Sequence, residues 1–165
     1  MDNLTLKNAY EECILGGGEH EYVFNGIAIE VADLETIRKF FPGVKASLSY
    51  KNSDGVCSIW IAKEDIVGAP HDMQLTLLNF IVHHELGHIK NNDKLEKDIE
   101  INTTQEIKAD KHAIDSLGMT EEEAIASIDA IYSNIADRFK DSDKSVLEYQ
   151  RIARINAIKE IKSCS

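Results

Sequence analysis

Apolar residues recur along the chain with two different periods, and the changes between them divide it into elements. Over residues 5–14, Leu6, Ala9, Tyr10, Cys13 and Ile14 follow a spacing near 3.6, which predicts a short amphipathic helix ended by Gly16, Gly17 and Gly18. Tyr22 to Val31 is rich in β-branched and aromatic residues and reads as one bent strand or two short ones around Asn25 and Gly26. Asp33 is placed to cap a helix with Leu34, Ile37, Phe40 and Phe41 inward, which Pro42 and Gly43 terminate. The alternating segments Val44 to Tyr50 and Val56 to Ile61, joined by a turn with Asp54 and Gly55, predict a hairpin.

From about Asp72 to Asn91 the period becomes helical again, with Leu75, Leu78, Val82, Leu86 and Ile89 on one face, so a central and largely buried helix is expected. Residues 91–102 are polar and read as a loop. A helix is expected from Thr103 or Thr104 to Leu117, closed by Gly118. Thr120 to Glu123 form a capping box that opens a helix with Ile125, Ile128, Ile131 and Ile135 inward. Asp141 to Asp143 break that helix, and a last one runs from about Lys144 to Lys162. This order predicts an α+β fold: a small, mostly antiparallel sheet on a central helix, followed by a C-terminal helical part. It is read as a single domain over 1–165, with the sheet in 1–71 and the helices in 72–165.

The chain has 165 residues, within the range of one domain. With 43% apolar and 28% charged residues it has the composition of a folded, soluble protein. Its 18 Lys and Arg against 29 Asp and Glu leave a net charge of −11, which repels phosphate backbones and anionic lipid surfaces. Neither a nucleic-acid nor a membrane partner is expected. The longest apolar cluster, Leu75 to Val82, is interrupted by Thr76 and Asn79 and is too short to span a bilayer. The first seven residues, Met1 to Lys7, lack the basic and apolar regions of a secretory signal, and a cytoplasmic location is the expectation. Cys13, Cys57 and Cys164 show no C-x-x-C spacing and are expected to be reduced thiols. Lys144, Arg151, Arg154, Lys159 and Lys162 give the last helix a basic stretch, read as a solvated face.

One run carries chemistry: His83, His84, Glu85, Leu86, Gly87, His88. Positions four apart share a helix face, so His84 and His88 can point ring nitrogens at one metal ion. Glu85 lies ~100° round the helix from His84, placed to act as a base on a water. His83 lies off that face and reads as a surface or packing residue. A glycine costs a helix interior ~1 kcal/mol against alanine, so Gly87 implies that a backbone or the substrate passes close by. A catalytic zinc site usually needs a third protein ligand. The metzincin pattern would put Gly at 91 and His at 94, where this chain has Asn91 and Lys94. Glu106 stands 18 residues after His88 on an expected helix, and Asp110 follows one turn later, able to accept a bond from a ligand histidine. Asp93, Glu96, Glu100 and His112 are alternative third ligands, and Glu106 could instead close a capping box with Thr103.

The pair His84-Glu-Leu-Gly-His88 and Glu106-Ile-Lys-Ala-Asp110 resembles the gluzincin metallopeptidases, whose signature is H-E-x-x-H followed by E-x-x-x-D. The likeness is to the branch of the CaaX prenyl proteases and their small soluble relatives, the minigluzincins; peptidases of the ImmA/IrrE type are the rival. It covers residues 57–117, and only the two motifs are specific. The resemblance implies a zincin-like fold and a zinc ion held by His84, His88 and Glu106. It also implies Glu85 as general base, Asp110 behind a ligand, and a peptide or protein substrate. It implies further that an edge strand before the motif helix, here Val56 to Ile61, holds extended substrate by strand addition. The membrane helices of the prenyl-protease branch are missing. No single residue matches the oxyanion-stabilising group of gluzincins; His112, Tyr132, Tyr149 and Arg151 are the candidates. A catalytically silent metal-binding domain and a hydrolase of small amides are the competing functions.

Overall fold

A computed structural model describes residues 3–163, which fall into two compact units, Met1–Val82 and His83–Ser165. The 17-residue helix α4 (Gln74–Lys90) contributes its first half to one and its second half to the other. Among the described residues, no helix is long and apolar enough to cross a membrane.

The first unit opens with α1 (Asn3–Ala9), which continues as a π-helical segment over Tyr10–Leu15. The strands are β1 (His20–Phe24) and β2 (Ile27–Ala32), then, after α2 (Leu34–Phe40), β3 (Leu48–Lys51) and β4 (Cys57–Ala62); the short helix α3 (Glu64–Val67) follows. Asn25 and Gly26 both take positive φ (51° and 76°), so they form the tight turn that lets β1 and β2 pair as a hairpin. The sheet order is β1-β2-β4-β3, with β2 and β4 parallel and the outer pairs antiparallel. The sheet is therefore mixed. A parallel pair needs a crossover with bulk of its own, and α2 with the β3 hairpin arm supplies it.

That crossover corrects one expectation. The segment Val56 to Ile61 does not form an edge: β4 is bonded on both sides, Ile59 lying opposite Ile29 and Ser49. Among the described residues the sheet's edges are β1 and β3. Ile29, Val31, Ile59 and Ile61 project to the same buried face. On the other face Ala32, Leu34, Ile37 and Ala62 form a cluster against which Phe41, Val44, Leu48 and Trp60 pack. Trp60 thus belongs to an aromatic group with Phe40 and Phe41, their ring centres 5.2 and 5.3 Å away. The Tyr10 hydroxyl donates to Gln74 Oε1 at 3.0 Å, tying the π-helical segment to the start of α4. Cys13 is buried with Sγ 3.4 Å from the Tyr22 hydroxyl, Cys57 is partly buried, and Cys164 lies outside the described residues.

The second unit holds the rest of α4, then α5 (Ile99–Leu117), α6 (Glu121–Ile135) and α7 (Lys144–Ser163), with α7 packed on both α5 and α6. The capping box of Thr120 and Glu123 is present in both directions, and Gly118 closes α5 with φ 63°. α5 begins a turn earlier than its sequence suggests, because Asp98 accepts from the amides of Glu100 and Ile101. Thr103 is then inside the helix, its hydroxyl donating to the Ile99 carbonyl at 2.6 Å, so the alternative in which Glu106 caps against Thr103 does not apply.

Gly87 marks the closest approach of α4 and α5. A Cβ placed there would stand 3.0 Å from Ala109 Cα and 3.1 Å from His112 Cβ, so a backbone does pass close by. Gly87→Ala should gain ~1 kcal/mol of helix propensity and lose more to overpacking, for a net destabilisation of about 1–2 kcal/mol. Denaturant unfolding would measure it, and a stabilised variant would contradict the tight crossing.

Candidate metal centre

The site lies within the second unit. One turn of α4 stacks His84 and His88 with ring centres 4.6 Å apart and planes at 87°. Their Nε2 atoms face each other at 3.1 Å. Glu106, on α5, closes the triangle, with Oε2 3.0 Å from His84 Nε2 and Oε1 3.2 Å from His88 Nε2. These three residues form a cluster that could hold a metal ion.

The other ring nitrogens explain why. His84 Nδ1 lies 2.8 Å from Asp110 Oδ1, and His88 Nδ1 lies 2.9 Å from Asp93 Oδ2. A carboxylate only accepts, so each Nδ1 carries the hydrogen and each Nε2 turns a lone pair inward. Three electron-pair donors then converge, and either a proton or a cation must stand among them. Donors on tetrahedral arms of ~2.0–2.1 Å would be about 3.3–3.4 Å apart, close to the spacing observed, so the residues fit a zinc-sized ion.

Without metal, a proton takes that place. Burial pulls His84 down, but the Glu106 and Asp110 carboxylates outweigh it and raise its pKa to about 10. His88 also rises, with Glu106 overcoming burial and the repulsion of His84. Glu106 is held well below the usual carboxylate range despite burial, chiefly by His84, then His88 and Arg154. A divalent ion taken up by this cluster would compete with a proton for its place among the donors.

Asp93 reaches His88 through the way α4 ends. Asn92 adopts the left-handed conformation (φ 53°), its amide bonds the Ile89 carbonyl at 3.1 Å, and the Asp93 amide bonds the His88 carbonyl at 3.0 Å. This is the paired closure of a Schellman turn, and it folds Asp93 back over the last ligand. Asp93 thus contacts the outer nitrogen of His88 and is not one of the three residues whose donors converge.

Glu85 is buried, and its carboxylate is among the charges that raise the pKa of His88. Asp110 is engaged on both oxygens: besides His84, it receives Nε of Arg154 at 2.8 Å and Nη2 at 2.6 Å. The Arg154 Nη1 donates to the Tyr132 hydroxyl at 3.2 Å and lies 3.5 Å from Glu106 Oε2. Tyr132 is accordingly the one oxyanion candidate that joins the network, one residue removed from the ligands.

The other candidates lie elsewhere. Tyr149 is 51% exposed and lines a groove of about 290 Å³ with Ile99, Glu100, Ser145 and Val146. Arg151 forms surface ion pairs with Glu148 (2.6 Å) and Asp129 (2.8 Å). The His112 Nε2 is 3.5 Å from the Ser116 hydroxyl on its own helix. Glu96 accepts from the Asp98 amide in the loop, and Glu100 sits in the groove just described.

Arg154 corrects the reading of α7 as a solvated basic face. Lys144 and Arg151 are surface residues paired with acids, Lys159 is exposed, and the Lys162 side chain lies outside the described residues; Arg154 is only 4% exposed. A signal for it existed, since Gln150, Arg154 and Ile158 recur every four residues and form one buried stripe. Comparison with protein-family models, with curated proteins and with solved structures yields no match to this chain.

Proposed function

We propose that this protein is a zinc-dependent metallopeptidase that cleaves peptide bonds in a peptide or protein substrate by direct attack of water. The observation that carries this reading is the convergence of His84 Nε2, His88 Nε2 and a Glu106 carboxylate within 3.0–3.2 Å of one another, with Glu85 buried alongside. Two imidazoles and a carboxylate are the donor set of a catalytic zinc site that keeps one position open. Bound there, zinc would supply Lewis-acid polarisation of the scissile carbonyl and increase the acidity of a water.

The chain's own groups supply the rest. Glu85 is one residue along α4 from His84 and lies ~100° away from it round the helix, so it is not itself one of the three converging donors. It takes the proton of the attacking water and delivers it to the leaving amine, so no covalent intermediate is required. Asp110 and Asp93 hold the two rings in the tautomer that faces Nε2 inward. The gluzincin resemblance of the two motifs agrees with these roles, and a cytoplasmic location belongs to the same proposal.

The test is a peptide library of mixed sequence incubated with zinc-loaded protein, with cleavage read by mass spectrometry. We expect cleavage that stops with 1,10-phenanthroline and returns on adding zinc. Protein shown by metal analysis to carry zinc, yet cleaving small amides alone, would be a non-peptidic hydrolase. Zinc-loaded protein that cleaves neither would be a silent binding domain.

A further inference from the structure

We propose that Arg154 is a positioning residue of the metal centre: its guanidinium locks Asp110, and through Asp110 the His84 ring, in the orientation that binds metal. This rests on the metal-site reading and is independent of peptide hydrolysis.

A single bond from His84 Nδ1 would leave the Asp110 carboxylate free to rotate. The fork removes that freedom, because Nε meets Oδ2 at 2.8 Å while Nη2 meets Oδ1 at 2.6 Å. Two parallel bonds to a planar carboxylate fix its plane as well as its distance. Oδ1, shared between Nη2 and His84 Nδ1 at 2.8 Å, is thereby aimed at the ring. The remaining arm, Nη1, stands 3.5 Å from Glu106 Oε2, so one buried cation faces both the third ligand and the partner of the first. Glu106 and Asp110 are like charges one turn apart on α5, which would repel without a cation between them. The Arg154 guanidinium carbon lies over the Tyr132 ring, 5.4 Å from its centre, and Nη1 donates to the Tyr132 hydroxyl, so the guanidinium is itself held. A buried ion pair could exist only to join α7 to α5. What marks this one as positioning is that the carboxylate it grips is the same one that orients a ligand.

The experiment uses the whole chain with zinc or cobalt(II) as probe. Zinc affinity is measured by competition with a chromogenic chelator, and ligand geometry by the visible spectrum of bound cobalt. Arg154→Met should weaken zinc binding about 10–100-fold, the usual cost of losing a partner behind a ligand. Arg154→Lys restores the charge but cannot form the fork. It should remain several-fold weaker than wild type and shift the cobalt bands. Asp110→Asn combined with Arg154→Met should cost little more than Asp110→Asn alone, since Arg154 acts largely through Asp110. Should Arg154→Met not fold, Arg154→Lys decides. A folded Arg154→Lys variant with zinc affinity within about twofold of wild type and an unchanged cobalt spectrum overturns the proposal. Wild-type protein that takes up neither ion overturns the metal reading and this one with it. Lack of peptide cleavage by metal-loaded protein counts against the proposed hydrolysis alone.

Discussion

Glu85→Gln should lower peptide turnover by about 10²–10⁴-fold while zinc stays bound, the range a lost general base costs. The substitution keeps the size and most of the hydrogen-bonding capacity of the side chain and removes only its ability to hold a proton at a carboxylate. The residues that could hold a metal are His84, His88 and Glu106, none of which is altered. Metal content by mass spectrometry and zinc affinity should therefore match wild type, and the loss should appear in kcat more than in KM. The split is what makes the experiment decisive. Full turnover in the variant would remove Glu85 from the mechanism, and loss of zinc would make Glu85 part of the metal-holding structure.

His84→Ala and Glu106→Ala should do the opposite, releasing the metal first and activity as a consequence. Loss of a partner behind a ligand costs about 10–100-fold in affinity, so loss of a ligand should exceed that. Stoichiometric zinc after gel filtration is expected in wild type and only traces in either variant. The stability readout follows from linkage. An ion present at 1,000 times its Kd stabilises the folded state by about 4 kcal/mol, so added zinc should raise the melting temperature of wild type and leave the variants unmoved. The two substitutions differ in the metal-free state. Glu106→Ala removes the carboxylate that lies 3.0 Å from His84 and 3.5 Å from Arg154, leaving Asp110 as the acid that both still contact. His84→Ala removes the group whose pKa the carboxylates raise to about 10. A variant that retains one tightly held zinc per chain would displace its residue from the ligand set.

Much of this centre is legible in the chain because helices repeat locally. The i, i+4 spacing of His84 and His88 puts both rings on one face whatever surrounds them, and Glu106 with Asp110 obeys the same rule on α5. The Gly87 anomaly likewise announced a close neighbour, which is Ala109. The start of α5 was less legible. The sequence places that start at Thr103 or Thr104, whereas in the structure the Asp98 carboxylate accepts from the first free amides, those of Glu100 and Ile101. Strand order was legible only in part: the β3–β4 hairpin follows from its turn, but the place of β4 beside β2 depends on a crossover that no local pattern encodes.

The sequence by itself determined the pieces whose geometry follows from the backbone repeat: two histidines and a glutamate on one helix, a glutamate and an aspartate a turn apart on another, and the elements that carry them. Only the tertiary structure decided that Glu106 closes the triangle, that Asp93 returns to His88, and that Arg154 is buried against Asp110, 44 residues away in the chain. The reason is physical. Periodicity specifies which way a side chain leaves its own helix, whereas its partner is set by how helices pack and how they end, through contacts between residues far apart in sequence.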